Sequence, residues 1–243
     1  MAEARRGLLA DPRWERWSAA SGLIFVALFV VWLKLYGALE PAGGQPRPSD
    51  AEILSDVVAG DRRLHLAHFV VGLTAIFFLW FLGSLRATLQ RAEGAPASLS
   101  AGAFAAGVVI AILMLLAGAP LPGLADVLRR GGTLEPRVAG AFYDVVGAIF
   151  SLVPFAVVVL VGATSLVALR SRALPAWLGW AGGVLVLFLL AGAASIDLTG
   201  EDPLWFVGIL GMLLWLAWLV AVSLVLLLAG RGDNQTGQSV LRA

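Results

Sequence analysis

The sequence lacks cysteine and is poor in charged side chains. Without cysteine among its 243 residues, disulfides, thiolate metal sites and cysteine nucleophiles are all excluded. Charged residues make up 14% of the chain, whereas an ordinary soluble domain has about 25%. This deficit is too large for a surface that faces water, so we expect lipid to surround most of the chain. The formal net charge of +1 and the lack of a basic patch argue against a nucleic-acid partner.

Several catalytic signatures are also missing. The chain contains no Walker lysine motif, no GxGxxG and no GxSxG, so nothing indicates nucleotide binding or serine hydrolase chemistry. It has two histidines, three positions apart. A haem held between histidines of facing helices is therefore not supported either.

Apolar side chains are abundant and occur in long runs. Hydrophobic residues make up 60% of the chain, and its mean hydropathy is +0.90. An apolar run of about 20 residues can cross the hydrocarbon core as a helix. We therefore predict an all-α polytopic bundle between a cytoplasmic segment, residues 1–16, and a cytoplasmic tail, residues 230–243. The six predicted spans are residues 17–39, 64–85, 101–119, 138–169, 175–196 and 204–229.

The first run has a competing interpretation as a signal peptide, because basic residues precede its apolar core. The apolar core of a signal peptide is typically about 7–15 residues long. The run at 17–39 exceeds that length, and no clear small-residue cleavage site follows it. We therefore expect it to be the first membrane helix.

The fourth run, residues 138–169, carries one charged side chain, Asp144. At about 1.5 Å per residue it is roughly 48 Å long, which exceeds the ~30 Å hydrocarbon core. Small and polar residues recur along it at helical spacing, and such a seam normally faces other helices. We therefore expect Asp144 to point into the bundle and to mark a site.

The connection between the first two spans contains a helix start signal. Ser49 and Glu52 form a capping box pattern, in which each side chain bonds the backbone of the other residue. Gly60 is a candidate for a left-handed stop. The pattern predicts a short helix on the membrane surface, and a packed loop is the alternative. Its apolar face consists of Ile53, Leu54, Val57 and Val58.

The distribution of basic residues predicts the orientation. Ten Lys and Arg side chains lie in the segments on the side of the two chain ends, and six lie in the segments on the other side. Because Lys and Arg are retained on the cytoplasmic side, both termini are predicted to be cytoplasmic.

Five ionisable residues lie near the outer ends of the predicted spans. Ionisable groups within a membrane are costly, and they generally face a cavity or a partner. On the predicted topology these five lie at similar depth in the outer half, and we therefore interpret them as a ligand-binding pocket. They are Lys34, His65, His68, Asp144 and Asp197.

A metal site is one hypothesis for this pocket. His65 and His68 share a helix face, and Asp144 on another helix could complete a zinc site with an open position for water. Such a site would activate water for hydrolysis, with Asp197 as the reserve ligand. The alternative is structural: Lys34 reaches the interface, and Asp144 pairs with Lys34, Arg62 or a histidine.

Two stretches of the sequence carry a family resemblance. Residues 78–86 (FLWFLGSLR) with 91–94 (RAEG), and residues 174–180 (LPAWLGW), resemble uncharacterised multi-pass membrane proteins of high-GC bacteria that form a domain of unknown function. The resemblance extends over about residues 15–229. It implies a six-helix protein of the bacterial inner membrane and supplies no catalytic residues.

Together these patterns favour a non-enzymatic membrane protein. Its expected ligand is a small molecule, a lipid or a protein partner, bound at a polar pocket that faces the extracytoplasmic side. The alternatives are a metal-dependent membrane hydrolase using His65, His68 and Asp144, and a transporter subunit or sensor. Gly179 and Gly183 in the fifth span predict close packing, either with a neighbouring helix or with a second copy in a homo-oligomer.

Overall fold

The computed structural model describes residues 12–36, 47–171, 174–194 and 205–240. Within these residues the regular structure is entirely helical. The helices are α1 (Pro12–Tyr36), α2 (Asp50–Ala59), α3 (Asp61–Glu93), α4 (Ser98–Ala117), α5 (Pro120–Arg129), α6 (Pro136–Ser171), α7 (Ala176–Ala194) and α8 (Trp205–Val240).

Six of these helices are long and apolar enough to cross a bilayer: α1, α3, α4, α6, α7 and α8. A helix can cross lipid because its backbone hydrogen bonds are satisfied within the segment itself. The predicted all-α bundle with six spans is therefore confirmed. The protein is a multi-pass integral membrane protein.

The six spanning helices form a closed ring. Each packs on the next spanning helix along the chain, and α8 packs back on α1. The short helices α2 and α5 lie at the end of the ring where α1 and α4 finish and α3 and α6 begin, and we call this the capped end. There α2 packs mainly on α6, and α5 contacts both α3 and α6.

The start of α2 follows the predicted capping box. The backbone N–H of Glu52 donates to Ser49 Oγ at 3.3 Å, and the backbone N–H of Ser49 donates to Glu52 Oε2 at 2.8 Å. A further hydrogen bond from the Ser49 hydroxyl lowers the pKa of Glu52. Ile53 and Val57 are buried, so α2 packs on the bundle as well as lying at its end.

The predicted left-handed stop at Gly60 is wrong. Its φ is −96°, and Asp61 begins α3 directly after it. The Gly60 N–H donates to the Asp56 carbonyl at 2.8 Å, and its own carbonyl accepts from the Leu64 N–H at 2.8 Å. Gly60 therefore closes one helix and opens the next without a positive φ.

The connection between the third and fourth predicted spans contains the helix α5. Proline is well placed in a first helical turn, where its missing N–H costs nothing, and α5 begins at Pro120. One face of α5 is buried, and the charged residues lie on its other faces. The helical spacing of this buried face was not recognised in the sequence, because polar side chains lie among its apolar residues. The buried residues are Leu121, Pro122, Leu124 and Ala125.

Two spans also continue further than predicted. Helix α3 runs to Glu93 instead of ending near residue 85, because Leu85 and Leu89 stay buried while Arg86 is exposed. Helix α8 runs to Val240, beyond the predicted end at residue 229. Hydropathy detects the apolar part of a helix and misses an amphipathic extension such as that of α3 or a polar one such as that of α8.

Gly179 and Gly183, the glycine pair predicted in the fifth span, lie on different surfaces of α7. Gly179 is buried on α6, where a Cβ would lie 2.7 Å from Leu169 Cγ. Gly183 is exposed, and a Cβ there would meet no atom within 4 Å. Close packing of α7 on α6 thus uses Gly179, and association of two copies through this helix stays a prediction.

An aromatic cluster joins α1, α3 and α8. The rings of Phe25 and Phe78 stack with their centroids 4.4 Å apart. Trp215 stands edge-on to both, with centroid separations of 6.0 and 6.4 Å. All three side chains are at most 2% exposed. Offset and edge-to-face contacts of this kind stabilise helix packing in addition to filling space.

Candidate functional site

Four of the five ionisable residues predicted to form a pocket lie at the capped end. Lys34 is exposed in the last turn of α1. His65 and His68 are near the start of α3, and Asp144 is near the start of α6. The fifth, Asp197, lies outside the described residues.

Asp144 forms an ion pair with Arg47, which lies 97 positions earlier in the chain. Arg47 Nε donates to Oδ1 at 2.7 Å, and Nη2 donates to Oδ2 at 3.0 Å. This two-point geometry is the strong form of an arginine–carboxylate contact. The alternative hypothesis gave Asp144 a structural role and predicted Lys34, Arg62 or a histidine as its partner. That predicted partner is wrong.

Arg47 also holds the start of α2. Its Nη1 donates to Asp50 Oδ1 and to the Pro48 carbonyl, both at 3.0 Å, and its guanidinium lies 5.8 Å from the Tyr143 ring centroid. The hydrogen bond to Asp144 raises the pKa of Arg47. Arg47 therefore stays charged and ties α2 to the first turns of α6.

His65 links α3 to α5. Its Nδ1 lies 2.8 Å from the backbone oxygen of Asp61, and its Nε2 lies 3.1 Å from Asp126 Oδ1. Asp126 is also paired with Arg129. Both ring nitrogens of His65 thus face oxygen acceptors, and the side chain serves as a bridge between two helices.

His68 contacts a different part of the chain from His65. Its Nδ1 lies 3.2 Å from the backbone oxygen of Gly118, between α4 and α5. The structure does not bring His65, His68 and Asp144 together, and no three His, Asp or Glu side chains within the described ranges are grouped to hold a metal. Each candidate ligand is used in a separate contact.

A cavity of about 430 Å³ lies between the spanning helices, on the side of the bundle nearer the capped end, and it opens on the bundle surface at Gly147, Gly208 and Ile209. Five of the six spanning helices contribute to its wall. Binding sites for small molecules typically occupy about 300–1,000 Å³ and are mostly apolar. The wall residues are Phe29, Trp32, Leu33 and Tyr36 of α1, Met114 of α4, Gly147, Phe150, Ser151, Val153, Pro154 and Val157 of α6, Leu189 and Gly192 of α7, and Gly208, Ile209, Met212 and Trp215 of α8.

The wall of this cavity is mostly apolar, and its polar side chains are Trp32, Tyr36, Ser151 and Trp215. None of its described residues is charged. The indole Nε1 atoms of Trp32 and Trp215 are buried without a hydrogen-bond partner in the described part of the chain. The two rings flank Phe29, whose centroid is 5.6 Å from Trp32 and 6.1 Å from Trp215.

Charged and titratable side chains predicted a polar pocket, and this apolar cavity was not predicted. Of those side chains, Asp144 pairs with Arg47 and His65 contacts Asp126. The signal that could have identified the wall is the spacing of Phe29, Trp32 and Tyr36, which places three aromatic side chains on one helix face. That spacing is equally typical of plain helix packing.

Comparisons with known proteins do not identify the chain. No family model matches it, and neither a curated protein nor a solved structure matches it. The resemblance to multi-pass proteins of high-GC bacteria stays a prediction. The fold and the cavity therefore carry the functional argument.

Proposed function

We propose that this integral membrane protein is a non-enzymatic binding protein that holds an apolar small molecule or a lipid between its helices. The observation that carries this proposal is the cavity of about 430 Å³, whose described wall residues are uncharged and come from five of the six spanning helices. Sites for small molecules are typically mostly apolar and about 300–1,000 Å³ in volume. An open apolar space of this size between the helices is therefore suited to a guest molecule.

We infer further that the protein lies in a bacterial cytoplasmic membrane with both termini in the cytoplasm. The excess of Lys and Arg in the segments on the side of the termini supports this orientation, and the sequence resemblance supports the location. In this orientation the capped end and the cavity lie in the extracytoplasmic half.

Cysteine labelling tests the orientation with little background, because the chain has no cysteine of its own. Thr133 and Ser98 are exposed, in the α5–α6 connection and at the start of α4. We expect a membrane-impermeant maleimide to label Thr133→Cys in intact cells and to label Ser98→Cys only after lysis. The reverse pattern would show that the termini lie outside.

Cavity occupancy can be tested with an alkyl diazirine, a photoactivatable hydrocarbon probe without oxygen. Phe150 and Met212 line the cavity, and both side chains are half-buried. We expect the probe to label both in the wild-type protein, because a molecule inside the cavity contacts them. Phe69, which is 63% exposed, reports probe dissolved in the surrounding lipid or detergent.

Gly208→Phe is the blocking variant. Gly208 lines the cavity, and a Cβ there would meet no atom within 4 Å, so the new ring has room to enter. We expect at least a fivefold loss of labelling at Phe150 and Met212. Gly183→Phe is the matched control, since its Cβ is equally free but the residue is not in the wall. Absence of label at Phe150 and Met212 in the wild type would refute the proposal.

A further inference from the structure

The opening of the cavity lies between α6 and α8, beside the end of α7. Gly147 of α6 and Gly208 and Ile209 of α8 line the cavity and are exposed. Both of these helices pack on α7, which contributes Leu189 and Gly192 from its last two turns to the wall. The opening therefore has α6 on one side and α8 on the other.

The surface around this opening is apolar on both helices. Large apolar side chains that are more than half exposed flank it, and they are Val145 and Leu152 of α6 and Phe206 and Leu213 of α8. Both helices are long and apolar enough to span the membrane, and lipid tails are as apolar as these side chains. The hydrocarbon of the bilayer therefore lies directly outside the opening.

An ion pair marks the depth of the opening. Asp144, Gly147 and Ser151 follow one another at helical spacing on one face of α6. Asp144 is bound by Arg47 and is exposed, and it precedes Gly147 by three residues, or about 4.5 Å along the helix axis. Ionised side chains are costly within hydrocarbon, so this pair marks the boundary with the head groups. The opening lies one helical turn inside that boundary, where acyl chains begin.

The wall of the cavity is suited to hydrocarbon. None of its described residues is charged, and a charge in an apolar site without a partner is strongly disfavoured. The hydroxyl groups of the wall are used within the protein. The Tyr36 hydroxyl donates to the Ala117 carbonyl at 3.3 Å, and the Ser151 hydroxyl donates to the Ala148 carbonyl at 2.8 Å. A charged head group is therefore disfavoured inside the cavity.

The size of the cavity limits its occupant further. Its volume of about 430 Å³ is near the lower end of the range for small-molecule sites, which is about 300–1,000 Å³. A space of this size has room for one hydrocarbon chain and not for a whole lipid with two chains.

From these observations we infer that the cavity holds one acyl chain of a bilayer lipid, which enters sideways between α6 and α8 from the leaflet at the capped end. The head group of that lipid stays outside the opening, at the level of the Arg47–Asp144 pair. This inference rests on the proposed function, and it specifies the occupant and its route. A free apolar compound is the competing occupant, and the experiment distinguishes the two.

Photolabelling with modified phospholipids tests the inference on the full chain in vesicles of unlabelled phosphatidylcholine. One probe lipid has a diazirine in the middle of an acyl chain, and the other has it in the head group. We expect the chain probe to label the half-buried wall residues Phe150 and Met212 and the head-group probe to spare both. Phe69 is exposed on α3, so it measures contact of the chain probe with the surrounding lipid.

Gly147→Phe is the variant that blocks the opening. A Cβ at Gly147 would meet no atom within 4 Å, so the new ring has room. We expect chain-probe labelling of Phe150 and Met212 to fall by roughly fivefold or more relative to Phe69, because a blocked cavity no longer buries the chain. Gly183→Phe is the matched control, since its Cβ is equally free outside the wall, and it should label as the wild type does. If Gly147→Phe does not fold, the two probe lipids in the wild-type protein still decide the occupant.

The possible outcomes separate this inference from the proposed function. If the oxygen-free hydrocarbon probe labels Phe150 and Met212 and the chain probe does not, the acyl chain is overturned as the occupant while the cavity remains a binding site. Head-group label at these two residues would overturn it as well. Chain-probe labelling that Gly147→Phe leaves unchanged would overturn the route between α6 and α8. Absence of label from all three probes would overturn the proposed function itself.

Discussion

Replacing Gly107 with valine is expected to lower the thermal midpoint of the purified protein by roughly 5–10 °C. Gly107 is buried where α4 packs on α3, and a Cβ there would lie 2.5 Å from Cδ1 and 3.0 Å from Cγ of Leu82. Leu82 is 1% exposed and has no free space to move into. The two helices must separate, and contacts along their interface are lost.

Gly102→Val is the matched control on the same helix. A Cβ at Gly102 would meet no atom within 4 Å, and both substitutions change the helix propensity of α4 in the same way. We expect its midpoint to equal that of the wild type in a detergent thermal-shift assay. Equal losses for the two variants would contradict the close α3–α4 packing.

Replacing Phe78 with alanine is expected to lower the free energy of unfolding by about 2 kcal/mol. Phe78 is fully buried, with its ring 4.4 Å from the Phe25 centroid and 6.4 Å from that of Trp215. Because lipid is as apolar as the bundle interior, no water-transfer term applies. The cavity term remains, at roughly 24 cal/mol per Å³ over a void of about 100 Å³.

Phe69→Ala separates this cavity term from other effects of losing a ring. Phe69 is on the same helix and is 63% exposed, so lipid or detergent fills the space left by its side chain. We expect a change below about 0.5 kcal/mol in reversible unfolding with a denaturing detergent. A loss as large as that of Phe78→Ala would show that ring removal weakens α3 itself.

The spans were predictable because their signal is local. A helix in lipid needs about 20 apolar residues in sequence, and this requirement is visible without any knowledge of neighbours. The Ser49–Glu52 capping box was predictable for the same reason, since its partners are three positions apart. Helix α5 was missed because its charged residues, such as Asp126, masked a short buried face.

The candidate site was less predictable because its contacts join distant parts of the chain. Asp144 was expected to point into the bundle, and this is wrong: its side chain is 57% exposed, and its partner Arg47 lies 97 positions away in a connection. His65 and His68 share a helix face and yet bond to different segments, at Asp126 and Gly118. Sequence spacing predicts which side chains share a face, but not which acceptor each one meets.

The sequence by itself determined that this is a helical membrane protein with six spans, because hydropathy and helix length depend on consecutive residues alone. Only the tertiary structure decided that the spans close into a ring, with α8 packed on α1. It also decided that the helices leave an apolar cavity between them, open at the bundle surface. A cavity depends on where side chains of several helices fail to meet, and that distance is set by packing across the whole bundle.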